Sequence, residues 1–111
     1  MLLEVKGCTL VDNGLAKFPD APTLRGKKHL DELSGAIDDE FKSVVLFLII
    51  RDDASEFTPN SPMDPDFAAA LKNANKNGVE IIAYSFKNIQ KDNYLDIKPY
   101  KRINVNLDVF D

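Results

Sequence analysis

The sequence predicts an α/β fold with a mixed sheet that contains a β-hairpin, a parallel βαβ unit and flanking helices. Asn13-Gly14 lies between two apolar segments and is the strongest short signal for a hairpin turn. The apolar run from Ser43 to Ile50 shows no alternation, which is typical of a strand buried on both faces of a parallel sheet. Asp64-Pro65 then begins a helix that leads to a further strand, and this order predicts a right-handed parallel crossover.

The elements of the first half follow from local patterns. An apolar, β-branched segment predicts a strand from Leu2 to Val11, and a short return strand should follow the hairpin turn. Thr23 is a good N-cap, and apolar residues at near-helical spacing after it predict a helix from about 23 to 38. Gly26 and Gly35 fall inside this helix, and each weakens it by about 1 kcal/mol relative to alanine.

The second half of the sequence contains both clear and weak signals for secondary structure. Two prolines predict a loop over residues 54–63, and Asn77-Gly78 should end the helix that follows it. The next strand is predicted over residues 79–86, adjacent and parallel to the buried strand. Residues 87–102 are polar, and their pattern predicts no element. Alternating apolar residues over 103–109 predict a half-exposed strand at the edge of the sheet.

Length, charge and cysteine content limit the class of protein. The 111 residues suit a single domain spanning residues 1–111. The formal net charge is −4, whereas nucleic-acid binders usually carry a basic excess, so DNA contact would need a local patch or another domain. Cys8 is the only cysteine, so no internal disulfide can form and a reducing, cytoplasmic setting is expected. The longest apolar run is far short of the ~20 residues of a membrane helix, so no membrane partner is expected.

Glu4 and Lys6 are the first candidate site, because residues two apart on a strand point to the same face. A Mg²⁺-dependent phosphodiesterase needs a carboxylate to bind the cation and a lysine to stabilise developing charge. Glu4 and Lys6 are therefore candidate catalytic residues, with Glu4 as the metal ligand. The alternative is a surface ion pair, which usually contributes less than ~1 kcal/mol and has no function.

Basic residues form two further candidates for contacts to a nucleic-acid substrate. Arg25, Lys28 and His29 lie in the first part of the predicted helix, where such a group could hold a phosphate. The alternative is an ordinary solvated helix face. Arg51 follows the buried strand at the end where open α/β sheets place ligands, and its alternative is a polar strand exit.

An ordered series of short segments runs from residue 2 to about 86, which is most of the chain. The segments are Glu4-Val5-Lys6 with Thr9-Leu10-Val11; Phe18-Pro19-Asp20-Ala21 with Thr23, Arg25-Gly26 and Lys28-His29-Leu30; Val44-Val45-Leu46-Phe47 with Arg51; Phe57 and Pro59; Asp64-Pro65 with Phe67; and Gly78-Val79-Glu80 with Ala83-Tyr84. In this order they resemble the carboxy-terminal part of the sugar fermentation stimulation protein (SfsA) family. The block from Phe18 to Leu30 is the most specific part of the resemblance.

The resemblance implies a two-part parent protein, with an OB-like front domain associated with DNA binding and a rear domain of the restriction-endonuclease-like, PD-(D/E)xK fold. In that fold Glu4 and Lys6 match the E-x-K strand, and the partner aspartate comes from an earlier strand. Three residues precede Glu4 and none is acidic, so the chain is expected to be a fragment truncated at the N-terminus, or the product of an internal start.

The implied function is DNA binding of the SfsA type, with Mg²⁺-dependent phosphodiester hydrolysis in the full-length parent. In this chain the site should be incomplete, with weak or absent Mg²⁺ binding and no cleavage. The alternative is a non-catalytic interaction or regulatory module in which Glu4 and Lys6 form a structural ion pair. Two spatial expectations follow. Glu4, Lys6 and the Arg25–His29 face should converge on one surface, and the Glu4 strand should have an open edge that favours self-association.

Overall fold

The computed structural model describes residues 1–37 and 42–108. In chain order the elements are β1 (Leu2–Cys8), β2 (Leu10–Asp12), β3 (Leu15–Phe18), α1 (Leu24–Ile37), β4 (Ser43–Ile49), β5 (Glu56–Pro59), α2 (Pro65–Lys76), β6 (Glu80–Gln90) and β7 (Leu95–Val105). The end of the predicted first helix, at residue 38, and the last three residues of the chain lie outside the described residues.

The strands form one curled, mixed sheet in the order β1-β4-β6-β7-β5-β3-β2. The adjacent strands β4 and β6 are parallel, as predicted, and α2 lies between them in sequence. β1 lies parallel to β4 on the other side, so β4 is the central strand of a three-stranded parallel unit. The α/β prediction with a mixed sheet, a hairpin and a βαβ unit is confirmed.

Local signals fix the turns and helix starts. Asn13 and Gly14 both have positive φ, 51° and 82°, and positive φ at both central residues is the requirement of a type I′ hairpin turn. The Thr23 hydroxyl accepts a hydrogen bond from the Gly26 N–H at 2.9 Å, which caps α1. The Asp64 carboxylate accepts one from the Phe67 N–H at 3.0 Å, which caps α2.

The core lies between the two helices and one face of the sheet. Leu30 of α1 and Phe67 and Leu71 of α2 are fully buried against it. Phe18 joins this layer, because its ring lies 5.4 Å from that of Phe47 and 5.3 Å from that of Phe67. α1 packs against α2 and β4, and this position brings its His29 to Glu4 of β1.

Several predicted boundaries need correction. The first strand is interrupted at Thr9 and becomes two strands, because β1 pairs with β4 whereas β2 pairs with β3. The predicted loop 54–63 contains β5, which is held between β3 and β7. Pro59 is the last residue of β5, and a strand tolerates proline at its end.

The carboxy-terminal part differs most from expectation. Residues 87–102, for which no element was predicted, belong to the long antiparallel hairpin of β6 and β7. Side chains on both faces of residues 87–102 are largely exposed, so no apolar face marks this part of the hairpin in the sequence. Residues 103–105 form a strand as predicted, but its predicted place at the sheet edge is wrong, because β7 lies between β6 and β5 and ends at Val105. Residue 109 of the predicted strand lies outside the described residues. Among the strands of the described residues, β1 and β2 are the outermost of the sheet.

Neither helix of the described residues is long and apolar enough to cross a membrane.

Candidate site at the edge of the sheet

Glu4, Lys6 and His29 meet at the β1 edge of the sheet. The Glu4 Oε1 atom lies 3.3 Å from the Lys6 Nζ and 3.0 Å from the His29 Nδ1. The Lys6 Nζ also lies 3.3 Å from the His29 Nδ1, so the three groups form a closed triangle. We call these three residues the edge triad.

The fold places the triad by simple geometry. Glu4 and Lys6 point to the same face of β1, next to Val45 and Phe47 of β4. His29 lies in α1 directly before the fully buried Leu30, so it faces the margin of the helix–sheet contact. A strand and a helix far apart in sequence therefore each contribute to the triad.

The triad is partly removed from solvent. The Lys6 side chain is 10% exposed, the Glu4 side chain 30% and the His29 side chain 23%. An ammonium with so little exposure needs an anionic partner, since an unpaired buried charge is costly. Glu4 is that partner, with its Oε1 atom 3.3 Å from the Lys6 Nζ.

Arg25 and Lys28 lie on the exposed surface of α1, and neither forms an ion pair with another described residue. Lys28 lines a shallow groove along the helix together with Leu24, Lys27, Asp31 and Glu32. Lys27 is paired with Asp31 at 3.3 Å in the same groove. The structure thus brings His29 into contact with Glu4 and Lys6. Arg25 and Lys28 remain exposed as positively charged side chains on the adjacent surface of α1.

Arg51 does not belong to the triad. It follows the end of β4, whereas Glu4 lies beside Val45 near the beginning of that strand. Its guanidinium makes two hydrogen bonds to the Asp53 carboxylate, at 3.0 and 2.6 Å. This interaction holds the pKa of Asp53 below its usual range. Arg51 lines a separate surface depression with Asp52, Asp53 and Asn88.

The donor set at the triad does not fit a complete Mg²⁺ site. Mg²⁺ prefers an octahedral set of oxygen ligands, usually one or two carboxylates together with waters and substrate phosphate. Glu4 supplies one carboxylate, and its Oε1 already lies within 3.3 Å of the Lys6 ammonium and the His29 imidazole. The described residues contain no group of three or more His, Cys, Asp or Glu side chains placed to hold a metal ion.

Cys8 ends β1 beside a small cleft that no pattern in the sequence predicts. Gly7, Leu10, Lys17 and Asp20 line this cleft together with Cys8. Burial raises the pKa of the Cys8 thiol to about 11, although hydrogen bonds to the Leu10 and Lys17 carbonyls act in the opposite direction. The thiol is therefore a packed, unreactive group. Its burial was predictable from residue type, but the cleft depends on the hairpin folding back on β1.

Comparisons with known proteins identify the class and then the family. The fold is that of a restriction-endonuclease-like domain, and a family model described as "Sugar fermentation stimulation protein RE domain" matches residues 1–92. The chain belongs to the SfsA family.

Curated relatives and a solved structure agree with this assignment. The chain is 47% identical over 105 residues to a sugar fermentation stimulation protein homolog of Methanothermobacter thermautotrophicus, covering 95% of this chain and 43% of that protein. It is 46% identical over 106 residues to the homolog of Caldivirga maquilingensis, covering 96% and 45%.

A solved structure of Pyrococcus furiosus SfsA in complex with Ca²⁺ superposes with a TM-score of 0.84 at 29% identity, covering 94% of this chain and 44% of that one. This chain therefore spans less than half the length of these relatives.

Proposed function

We propose that this chain is the DNA-facing, cation-binding part of an SfsA-type cytoplasmic protein whose full-length form hydrolyses phosphodiester bonds with Mg²⁺. The observation that carries the proposal is the edge triad, in which a carboxylate, an ammonium and an imidazole meet within 3.3 Å. The solved relative that contains Ca²⁺ supports a cation-binding role for the family's fold. In this chain the site is incomplete, because its described residues bring one carboxylate to the triad.

Each residue has a distinct part in this proposal. Glu4 offers oxygen to a cation, and the second acid comes from outside the described residues. Lys6 lies beside Glu4 and would place its ammonium against a phosphate oxygen. His29 is within hydrogen-bonding distance of both, so it orients the carboxylate. Arg25 and Lys28, exposed on α1, would contact neighbouring phosphates, which position a duplex without reading its sequence.

Cation binding by this chain should be weak and should depend on Glu4. We expect a dissociation constant on the order of a millimolar for Mn²⁺ or Ca²⁺, because one carboxylate makes a poor site. Calorimetric titration of the chain and of Glu4→Ala tests this, with Glu32→Ala as a control that removes an exposed acid from α1. Glu4→Ala should abolish the binding heat, and Glu32→Ala should not.

The same titration in a longer SfsA protein separates the proposed function from its alternative. There, an upstream acid should strengthen binding, and replacing the glutamate that corresponds to Glu4 should remove the gain. If binding in both proteins is indifferent to this glutamate, it is not a ligand. The triad would then be a structural ion pair in a non-catalytic module, an alternative favoured by the two contacts that Glu4 Oε1 already makes.

DNA binding by the chain should come from the exposed cations of α1. The net charge of −4 is opposite to the basic excess that is usual in nucleic-acid binders, so we expect the contact to be local. In fluorescence anisotropy with a labelled duplex at low salt, the Arg25→Ala, Lys28→Ala double variant should bind about tenfold more weakly. The slope of its salt dependence should fall by about one unit for each phosphate that the variant no longer binds.

The control for this experiment is the double variant Lys76→Ala, Lys91→Ala, which removes the same charge from α2 and from the β6–β7 turn. It should bind DNA like the unmodified chain. Equal weakening by both variants would mean that binding reflects overall charge, and an absence of binding at low salt would contradict the DNA-facing role.

A further inference from the structure

The outer part of the β6–β7 hairpin carries a local excess of positive charge. Residues 87–102 contain five lysine and arginine residues and two aspartates, so their net charge is +3, whereas the rest of the chain carries −7. They form the far end of β6, the turn and most of β7. The positive charge is therefore concentrated on a two-stranded ribbon.

The strand register places three lysines on one face of this ribbon. Lys87 lies directly opposite Lys98, and Ser85 lies directly opposite Lys101. Directly opposite residues share a face, and Ser85 and Lys87 are two residues apart on one strand, so the three lysines point to the same side. Like charges directly opposite each other destabilise a pair of strands, which makes this arrangement unfavourable without an anion nearby.

A tyrosine ring lies among these lysines because of a bulge. The register shifts between Ser85 and Phe86, and Tyr100 is the extra residue of β7 at this point. The Lys87 Nζ lies 4.2 Å from the centroid of the Tyr100 ring, and the Lys101 Nζ lies 5.3 Å from it. Tyr100 is 43% exposed, so part of its surface remains open to a ligand. We call this group the lysine–tyrosine cluster, consisting of Lys87, Lys98, Tyr100 and Lys101.

The charge of the cluster is only partly balanced. Lys98 is paired with Asp96 at 3.6 Å, in a contact that solvent screens. Neither Lys87 nor Lys101 forms an ion pair with a carboxylate of the described residues. Their contacts to the Tyr100 ring attract an exposed ammonium only weakly and do not neutralise its charge. The cluster is therefore complementary to an anionic ligand.

We propose that the lysine–tyrosine cluster binds single-stranded DNA, with a base stacked on the Tyr100 ring and neighbouring phosphates held by Lys87 and Lys101. Aromatic rings beside a positively charged track are the arrangement by which proteins bind single strands without reading their sequence. In a duplex each base is covered by its stacked neighbours, so an exposed tyrosine ring cannot reach its face. The choice of DNA rests on the proposed function, whereas the charge and the ring do not depend on it.

The cluster differs in chemistry from the surface of α1. The described residues that line the groove along α1 are charged apart from Leu24, and none is aromatic. That surface offers charge alone, which suits the phosphates of a duplex. The cluster adds a stacking group, so the two surfaces should be distinguishable by the form of DNA that each prefers.

Fluorescence anisotropy with a labelled oligothymidylate of about ten nucleotides tests the proposal, since this length is within the usual site size. At low salt the double variant Lys87→Gln, Lys101→Gln should bind about tenfold more weakly. The slope of its salt dependence should fall by about 0.7 for each phosphate that is no longer bound. Tyr100→Ala should weaken binding at least about fivefold with an unchanged salt slope, because stacking involves no phosphate.

The matched control is the double variant Lys42→Gln, Lys76→Gln. It removes the same charge beside the beginning of β4 and at the end of α2, at the opposite end of β6 from the ribbon. It should bind oligothymidylate like the unmodified chain, and circular dichroism verifies that each variant is folded. Equal weakening by the two double variants would mean that overall charge decides binding, which overturns the proposal.

Tyrosine fluorescence reports the stacking directly, because the chain has three tyrosines and no tryptophan. Saturating oligothymidylate should quench this emission. Tyr100→Phe keeps an aromatic ring, so it should bind within about twofold of the unmodified chain and lose most of the quenching. Quenching that persists unchanged in Tyr100→Phe contradicts stacking on this residue.

A duplex probe separates this inference from the proposed function. Tyr100→Ala should weaken binding of oligothymidylate at least about fivefold more than binding of a duplex, and equal losses would overturn the single-strand preference. If the chain binds a duplex at low salt but no oligothymidylate, this inference fails and the proposed role of α1 stands. Binding of oligothymidylate without binding of the duplex supports the cluster and contradicts the proposed role of α1.

Discussion

Asp64→Ala should lower the free energy of unfolding by about 3 kcal/mol, because two hydrogen bonds to a buried carboxylate are lost together. The Asp64 Oδ1 accepts from the Phe67 N–H at 3.0 Å and caps α2. The Oδ2 accepts from the Thr23 N–H at 2.8 Å, directly before α1. One side chain therefore ties the beginnings of both helices, and it is only 8% exposed.

The estimate combines two separate effects. Loss of an N-cap usually costs about 1 kcal/mol, and a hydrogen bond to a charged group contributes about 1.5–3 kcal/mol. The Thr23 N–H would also be left without its partner near the core. A loss of this size is a large fraction of the roughly 5–15 kcal/mol that is typical of single domains.

Urea denaturation of Asp64→Ala and two related variants measures the effect. Asp66→Ala is the matched control, because Asp66 is exposed in the first turn of the same helix and should cost much less. Asp64→Asn keeps one acceptor oxygen but loses the charge, so its stability should lie between those of the unmodified chain and Asp64→Ala. If Asp64→Ala is no more destabilising than Asp66→Ala, the tie between the helices does not contribute as proposed.

Gly26→Ala should destabilise the protein by about 1–3 kcal/mol, although alanine is the better helix former by about 1 kcal/mol. A Cβ at Gly26 would lie 2.8 Å from the Thr23 Cγ2 and 3.0–3.1 Å from two carbons of the Phe67 ring. Phe67 is fully buried and packed against the Phe18 ring, so it has little freedom to move away. The clash should therefore exceed the gain in helix propensity.

Gly35→Ala is the control within the same helix. Nothing lies within 4 Å of a Cβ at Gly35, so alanine should stabilise the protein by about 0.5–1 kcal/mol through its helix propensity. The two substitutions are chemically identical, and thermal unfolding should move in opposite directions for them. A stabilising Gly26→Ala would show that the close approach of α1 and α2 at this residue relaxes without cost.

Local chemistry made much of the fold predictable. The Asn13-Gly14 turn, the Thr23 and Asp64 caps and the Asn77-Gly78 helix end each depend on residues within one turn of chain, so sequence alone identifies them. The buried run after Ser43 identified a central parallel strand through composition alone.

Tertiary structure decided what local signals could not encode. The outer part of the β6–β7 hairpin, residues 87–102, forms because the two strands satisfy each other's backbone groups, and its side chains show no buried face. β5 is buried between β3 and β7, but its run of four residues is too short to mark a strand in the sequence. The position of β7 inside the sheet likewise depends on β5 pairing with it.

The same distinction between local signals and tertiary packing applies to the candidate site. The sequence predicted that Glu4 and Lys6 share one face of a strand and that the Arg25–His29 face approaches them. The packing of α1 then decided that His29 is the residue that makes the contact. Arg25 and Lys28, on the same helix, remain at its exposed surface. Sequence by itself determined the residue types, caps and alternation, because these are local. Which side chains meet was decided by long-range packing, because distances between elements depend on the whole core.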